Sequence, residues 1–324
     1  MKQIISILCV LLFTSCTWVK DGDVECDYGF WLNLHYTYNI LDVDAAPEYI
    51  KDVSVYVYDA DSNYVTRIDI AQPMLLANKH RVRIEGLPEG DYQFVVWSGQ
   101  GNSEYAVSGV SFISKSDQFK LALSDQSNTV MTKLPDLYHG KLDKIHYDDK
   151  YAVHDVYMMK NTNQLACFVV PLSQDVKMNP SDYVLEIVAD NGTMDINNEM
   201  ASDKLIHYSS VPEQAVINDD DYGQLHGIKY NLSTLRLMEK GNCRLVLTKK
   251  SDNQTDQIFN ISFPKYIGEF GSLYTKLGKK LEPQEYLDRQ DYYTVIFFLS
   301  EGLDQLMKLQ VNSWLVRSNI LKLN

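Results

Sequence analysis

A period of two runs through this chain and limits what it can fold into. In residues 30–38, Phe30, Leu32, Leu34, Tyr36 and Tyr38 alternate with Trp31, Asn33, His35 and Thr37. Residues 51–59 repeat the pattern, with Val53, Val55 and Val57 on one face and Ser54, Tyr56 and Tyr58 on the other. Such alternation sends successive side chains to opposite faces of a strand, whereas a helix repeats its apolar stripe every three to four residues. Further strands are expected at 64–70, 81–85, 91–97, 110–112 and 118–123. Asp59-Ala-Asp-Ser-Asn63, Gly86-Leu-Pro-Glu-Gly90 and Ser98-Gly99 mark the turns between them. Tyrosine is abundant, at 22 residues, which suits pleated surfaces where aromatic rings pack across neighbouring strands. Short strands at regular spacing indicate an all-β sandwich.

The pattern lapses in a loop-rich stretch at 135–152 and restarts at 153–159, 164–171, 183–189, 228–235, 244–248 and 257–263. Asp190-Asn191-Gly192 reads as a tight turn, and 190–225 as a long polar surface loop. Ile267, Phe270, Leu273, Tyr274 and Leu277 have helical spacing and predict one short helix across an end of the second sandwich. Residues 293–299 are apolar on both faces, as in a central strand. Met307, Leu309 and Val311 alternate; the phase then slips to Trp314 and Val316, which suggests a β-bulge. The chain ends on Ile320, Leu321 and Leu323. Its 324 residues suit two domains of ordinary size. The expected division is 1–15 signal peptide, 16–26 acidic tether, 27–150 first sandwich and 151–324 second sandwich with the terminal strand.

The first sixteen residues, MKQIISILCVLLFTSC, join a lysine to a short apolar core and small residues. The core is too short for the ~20 apolar residues of a membrane span, and reads as a secretory signal. Cysteine directly after Thr-Ser resembles a bacterial lipobox, with Phe13 where leucine is usual. The resemblance implies that Cys16 becomes the first mature residue and carries acyl chains, palmitate among them. Each buried methylene would contribute ~0.8 kcal/mol to membrane attachment. The alternative is an ordinary secretory signal with a chance cysteine. The acidic stretch after Cys16 is similar to the signal that sends lipoproteins of Bacteroides-type bacteria to the cell exterior.

The net charge is −13, which argues against nucleic acid, whose phosphates demand clustered Lys and Arg. Of five cysteines, Cys9 leaves with the signal and Cys16 carries lipid. Cys26, Cys167 and Cys243 remain. Cys167 and Cys243 could pair in an oxidising compartment, or stand as two separately buried thiols. No His-Glu-x-x-His, Gly-x-Ser-x-Gly or phosphate-cradling glycine loop is present, and the spacing fits no zinc site. Asp59, Asp61 and Asn63 have the start of a calcium-loop spacing, but Tyr64 and Ile70 stand where glycine and glutamate are needed; a hairpin turn is expected instead. Asp219, Asp220 and Asp221 form an acidic knot that reads as a solvated loop rather than a cation site. Asp288 and Arg289 are expected to pair locally at the entry to the final hairpin. No enzyme, cofactor or small-molecule substrate is expected.

An ordered set of segments resembles the FimB/Mfa-type fimbrium anchoring subunits of Bacteroides-type bacteria. The set begins with Cys26-Asp-Tyr-Gly-Phe-Trp-Leu-Asn-Leu34 and Tyr36-Thr-Tyr-Asn39. Val53-Ser-Val-Tyr-Val-Tyr-Asp59, Leu87-Pro-Glu-Gly-Asp-Tyr92, Trp97-Ser-Gly99, Leu137-Tyr-His-Gly140 and Lys160-Asn-Thr-Asn163 follow. Glu285-Tyr-Leu-Asp-Arg289 and Val311-Asn-Ser-Trp-Leu-Val-Arg317 close it. Asp27 departs from the family, where proline often follows the cysteine. The resemblance implies two tandem transthyretin-like β-sandwich domains without catalytic residues, held by Cys16 at the outer face of the outer membrane. It implies a structural role at the base of a pilus, attaching it and limiting its length, with a stalk pilin as partner. Subunits of such pili join by donor-strand exchange, a form of β-augmentation. The expected contact residues are Leu309, Val311, Trp314, Val316, Ile320, Leu321 and Leu323; the same tail could instead be the last strand of this chain's own second domain. The competing functions are a surface glycan-binding lipoprotein, offering Trp18, Trp31 or Tyr222 to sugars, and a fimbrial tip subunit.

Overall fold

The computed structural model describes residues 29–316, apart from 125–126, 203, 220–221, 252–253, 270–279 and 313. The signal segment, Cys16, Trp18 and Cys26, most of the expected helix at 267–277, and Ile320, Leu321 and Leu323 lie outside the described residues. In chain order the strands are β1 (Phe30–His35), β2 (Val53–Asp59), β3 (Tyr64–Ile70), β4 (Arg81–Ile84), β5 (Gly90–Ser98), β6 (Tyr105–Ser108), β7 (Lys120–Leu123) and β8 (Thr129–Val130). Then come β9 (Tyr138–Tyr147), β10 (Ala152–Tyr157), β11 (Met159–Lys160), β12 (Thr162–Pro171), β13 (Tyr183–Ala189), β14 (Thr193–Asp195) and β15 (Ile206–Ser209). The last are β16 (Glu213–Asp219), β17 (Gly223–Leu235), β18 (Cys243–Ser251), β19 (Gln254–Ile261), β20 (Tyr292–Leu299), β21 (Leu306–Val311) and β22 (Trp314–Val316). Among the described residues four short helices join them: α1 (Ala46–Tyr49), α2 (Gln72–Ala77), α3 (Phe263–Gly268) and α4 (Pro283–Arg289). The all-β expectation is borne out.

The first sandwich sets the sheet β10-β1-β4 against β11-β9-β5-β2-β3. The odd-numbered valines of β2 do what their alternation predicts: Val53, Val55 and Val57 pack with Phe30, Leu32 and Leu34 of β1 and with Phe94 and Val96 of β5. Strand β10 lies parallel to β1, from Phe30 opposite Ala152 to His35 opposite Tyr157, so residues 152–157 add to the first sandwich. The second sandwich sets β16-β17-β12-β20-β21-β22 against β19-β18-β13-β15-β8. Leu165, Val169, Val295 and Phe297 face Leu185, Ile187, Leu245 and Phe259 in its core, and Phe259 stacks on Phe297 at 5.2 Å.

The stretch between β5 and β9 serves both halves. Strand β7 is flanked by β6 and β14 in a small sheet, and β8 runs parallel to β15. This layer covers the second face of β2 and β5. Tyr56, Tyr58, Val95 and Trp97 are therefore buried and join the core of the second sandwich through Phe119, Leu121 and Met194. Trp97 lies flat on Phe119 at 6.1 Å.

Several local expectations are corrected. Residues 190–225 hold β14, β15 and β16 rather than one loop; β16 is polar and half-exposed, so it carried no apolar alternation to announce it. Asp190-Asn191-Gly192 turns the chain, but β14 pairs with β7 and not with β13. The Asn191 side chain is what fixes that corner, donating to the Leu235 and Arg236 carbonyls and accepting from the Tyr208 hydroxyl. Val110 to Phe112 are not a strand; Phe112 and Ile113 stand exposed on a turn closed by Ser114 N–H to the Ser111 carbonyl. Cys167 and Cys243 are separate buried thiols. Among the described residues the second half has two short helices, α3 and α4; most of the expected helix at 267–277 lies outside them.

A buried polar seam joins the halves. Lys160, at the end of β11, places its ammonium 2.7 Å from Asp291 and 3.1 Å from Asp136. Burial pushes that ammonium toward the neutral form, but the two carboxylates outweigh it and raise its pKa. Asn161 and Asn198 exchange amide hydrogen bonds at 2.8 and 2.9 Å. The expected Asp288–Arg289 pair does not form. Asp288 instead takes two bonds from Arg236, at 2.7 and 2.8 Å. Arg289 points the other way, to Glu285, Asp42 and the Asn39 carbonyl of the first half. His139 of β9 meets the Ile196 carbonyl at 3.1 Å and packs against Trp97 at 4.6 Å.

Two outcomes follow from this seam. Asp288→Ala strands the Arg236 guanidinium and is expected to lower unfolding free energy by about 3–5 kcal/mol, read from urea denaturation. Burial lowers the His139 pKa to about 4, below the ~6.5 of an unfolded histidine. The unfolded chain therefore takes up a proton between those values while the folded chain does not. Stability is expected to fall as pH drops from ~6.5 toward 4, by on the order of 3 kcal/mol, and His139→Gln should flatten that limb of a urea-midpoint profile.

Candidate functional site

The described part of the tail singled out from the sequence, Leu309 to Val316, forms one margin of the six-stranded sheet. Leu309 and Val311 of β21 are each 1% exposed and lie in the chain's own core. They pair with Phe297 and Val295 of β20 on one side. On the other side, Leu309 opposes Val316 and Val311 opposes Trp314 of β22. The phase slip is thus a two-residue hairpin turn and not a bulge. Directly opposed residues of a hairpin share a face, so a turn of two makes the apolar sequence jump from 311 to 314. Asn312 supplies the left-handed backbone, at φ 47°, and its side chain accepts from the Thr294 N–H. Among the described residues β22 is the outermost strand of the sheet. Its outward N–H and C=O groups are a template for another extended chain.

The opposite margin behaves differently. Strand β17 pairs with β12 only as far as Ile228 opposite Val169. Residues 223–227 pair with β16 alone, and this hairpin arm rises off the sheet and folds back across its outer face. Asp219, near the tip, accepts from the Gln310 amide of β21 at 3.2 Å, although β17, β12 and β20 lie between β16 and β21 in the sheet. Tyr222 lies against Phe298 at 5.2 Å. The Lys308 ammonium sits over both rings, at 3.9 and 4.4 Å, and has no hydrogen-bond partner among the described residues. Aromatic faces offset some of the cost of holding that cation away from water. The bend is made possible by Gly227, where a Cβ would stand 2.3 Å from the Val169 carbonyl oxygen and 2.7 Å from a Val170 methyl.

Beneath the arm runs a groove of about 850 Å3. Its floor is a row across four strands: Lys229 opposes Phe168, Phe168 opposes Ile296, and Ile296 opposes Gln310. Ile217 of the arm packs onto the same cluster. Tyr292, 51% exposed, also lines it.

The other sequence candidates are placed as follows. Asp59 organises the β2–β3 turn, accepting from the N–H groups of Asp61 and Asn63. Asp219 is tied to Gln310 and to the Tyr222 N–H; Asp220 and Asp221 lie outside the described residues. Trp31 is 7% exposed beneath the guanidinium groups of Arg81 and Arg83, so it offers no face to a sugar. Tyr222 commits one side of its ring to Phe298 and Lys308. Burial raises the thiol of Cys167, and that of Cys243 to about 12, which keeps both protonated and poor as nucleophiles. Among the described residues no three His, Cys, Asp or Glu side chains converge as a metal site, and no helix is long and apolar enough to cross a membrane. Sequence reasoning missed the arm and its groove. The signal present was Gly227, a glycine inside an apolar strand, which marks a bend or a close backbone approach.

Two packed β-sandwiches with a shared intervening layer are also the fold of solved candidate adhesins and of a fimbrial anchor protein. A candidate polysaccharide-binding protein of Bacteroides thetaiotaomicron superposes with a TM-score of 0.75 at 25% identity, over 89% of this chain and 97% of its own. A candidate adhesin of the same organism gives 0.77 at 25% identity, over 91% and 99%. The fimbrial anchor protein Mfa2 of Porphyromonas gingivalis shares the fold, at 0.68 and 14% identity, over 90% and 99%. No curated protein sequence matches this chain. The profile of the fimbrillin-A associated anchor proteins Mfa1 and Mfa2 matches residues 23–320, and the chain belongs to that family.

Gly227→Ala is expected to destabilise the protein by about 1–3 kcal/mol, because its new methyl meets backbone that cannot yield. Differential scanning calorimetry reads the loss.

Proposed function

We propose that this chain is the membrane-proximal subunit of a surface fimbria, tethered through acylated Cys16 and joined to the first stalk pilin by strand addition. Family membership supports the fimbrial association. The observation that carries the joining mechanism is the three-residue strand β22, outermost among the described residues. It is followed in sequence by Arg317 through Asn324, with Ile320, Leu321 and Leu323. Eight extended residues reach ~27 Å, enough to lie along a full strand of a partner sheet. Leu309 and Val311 hold the β21 end of this hairpin in the chain's own core. The donated segment is therefore Trp314, Val316 and the residues beyond, or the open edge of β22 receives a strand from the pilin. Main-chain hydrogen bonds supply affinity in either direction, and alternate side chains supply fit. A subunit that seats the stalk in this way at the membrane also caps it, which limits its length.

Two variants separate the tether from the joint. Cys16→Ala is expected to release fimbriae with this protein still attached into the medium. Deleting 317–324, which spares the core residues of β21, is expected to leave the protein on the cell and shed fimbriae without it. Immunoblots of cell and medium fractions read both. Fimbriae that stay on cells in both strains would exclude the proposal.

A further inference from the structure

We propose that the groove under the β16–β17 arm is a binding site for an uncharged oligosaccharide, next to the strand-joining margin and independent of the anchoring role. The floor strands β17, β12 and β20 each have hydrogen-bonded neighbours on both sides along the floor. The groove therefore offers no free main-chain edge to an extended peptide, and recognition falls to side chains. Those side chains are of the kind that reads hydroxyl groups. Asn218 and Asn312 bring amides, Thr294 a hydroxyl, and Asp219 a carboxylate already held in place by Gln310. Amides and carboxylates both serve vicinal hydroxyls, which give and take hydrogen bonds together. Tyr292 lines the groove and is half-exposed, and supplies the aromatic surface that the C–H face of a pyranose needs.

Charge selects against an ionic ligand. Lys229 and Asp219 are the ionisable pair of opposite sign among the lining residues, and they balance. A phosphorylated or strongly acidic ligand would meet one cation opposed by one carboxylate. The volume, about 850 Å3, lies within the roughly 300–1,000 Å3 of small-ligand sites and admits a short run of sugar units. The arm, fixed at its tip by Tyr222, Phe298 and Lys308, keeps this shape before any ligand arrives, so little ordering cost attends binding.

The test is titration calorimetry on the mature full-length protein in detergent, with cellohexaose, maltohexaose and mannohexaose as probes. Saturable binding of at least one, at ~1 mM or tighter, is expected. Tyr292→Ala and Asn218→Ala should each weaken it by about tenfold or more. Both positions are exposed, so unchanged thermal unfolding is expected to accompany the loss. Cells carrying Tyr292→Ala should keep their fimbriae attached, which separates this site from the anchoring role. The proposal is overturned if none of the three sugars saturates, or if both variants bind as the parent does. It is equally overturned if a synthetic peptide of residues 317–324 fills the groove and the sugars do not.

Discussion

Lys160 stands where β11 gives way to β12, with 6% of its side chain exposed and a carboxylate on either side. Asp136 comes from the approach to β9 and Asp291 from the approach to β20, so one ammonium ties together three segments that are far apart in sequence. A buried charge of this kind is costly unless its partners are in place, and each arrangement of the halves that separates them leaves an ion without compensation. The next residue, Asn161, extends the same logic with a neutral pair: two amides facing each other in a buried seam can only be satisfied in one registration. Arg236 and Asp288 form a charged pair of the same directional kind within the second half. Apolar packing alone tolerates sliding; this row of directional contacts does not. Lys160 and Asn161 thereby register the β11–β12 junction against the approaches to β9 and β20 and against Asn198.

The shared layer explains why β2 and β5 are buried on both faces. Their valine face closes the first core, and their tyrosine and tryptophan face is roofed by β6, β7 and β14. The six-stranded sheet has the opposite fate. Its inner face is sealed against β13, β18 and β19, and its outer face is left to the arm of β16 and β17, which covers it at a distance. One sheet is thus used twice for stability, the other once for stability and once to make a surface with depth.

Much of this was legible in the residues. Period-two alternation located β2, β5 and β13 to within two residues and gave the start of β1 while overrunning its end by three, and an apolar run on both faces located β20 to within one. Tyr183–Ala189 is apolar at every second position, and the strand has those bounds. The failures share a cause. Strand β16 is polar and is held by pairing alone, so no apolar pattern betrays it. The slip between Val311 and Trp314 is shared by a bulge and a two-residue turn, and only the pairing partner distinguishes them. Asp288 beside Arg289 invited a local pair, yet adjacent residues at the end of a helical turn diverge by about 100° and reach different neighbours. The arm and its groove depend on contacts between Asp219 and Gln310, 91 positions apart, a separation at which local pattern carries no information.

The pairing of the two ends gives the molecule unequal resistance to pulling. A tug at Gly29 along β1 is met by six residue pairs with β10 and four with β4, all strained side by side, so the strand must slide as a whole or not at all. A tug at Val316 meets three pairs with β21, and these can open in succession like a zip. Drag on a filament fixed only to that short hairpin would peel it back toward Asn312. A second chain laid along β22 would convert the peel into a slide, and would spread the strain into β20 and β12 beneath it.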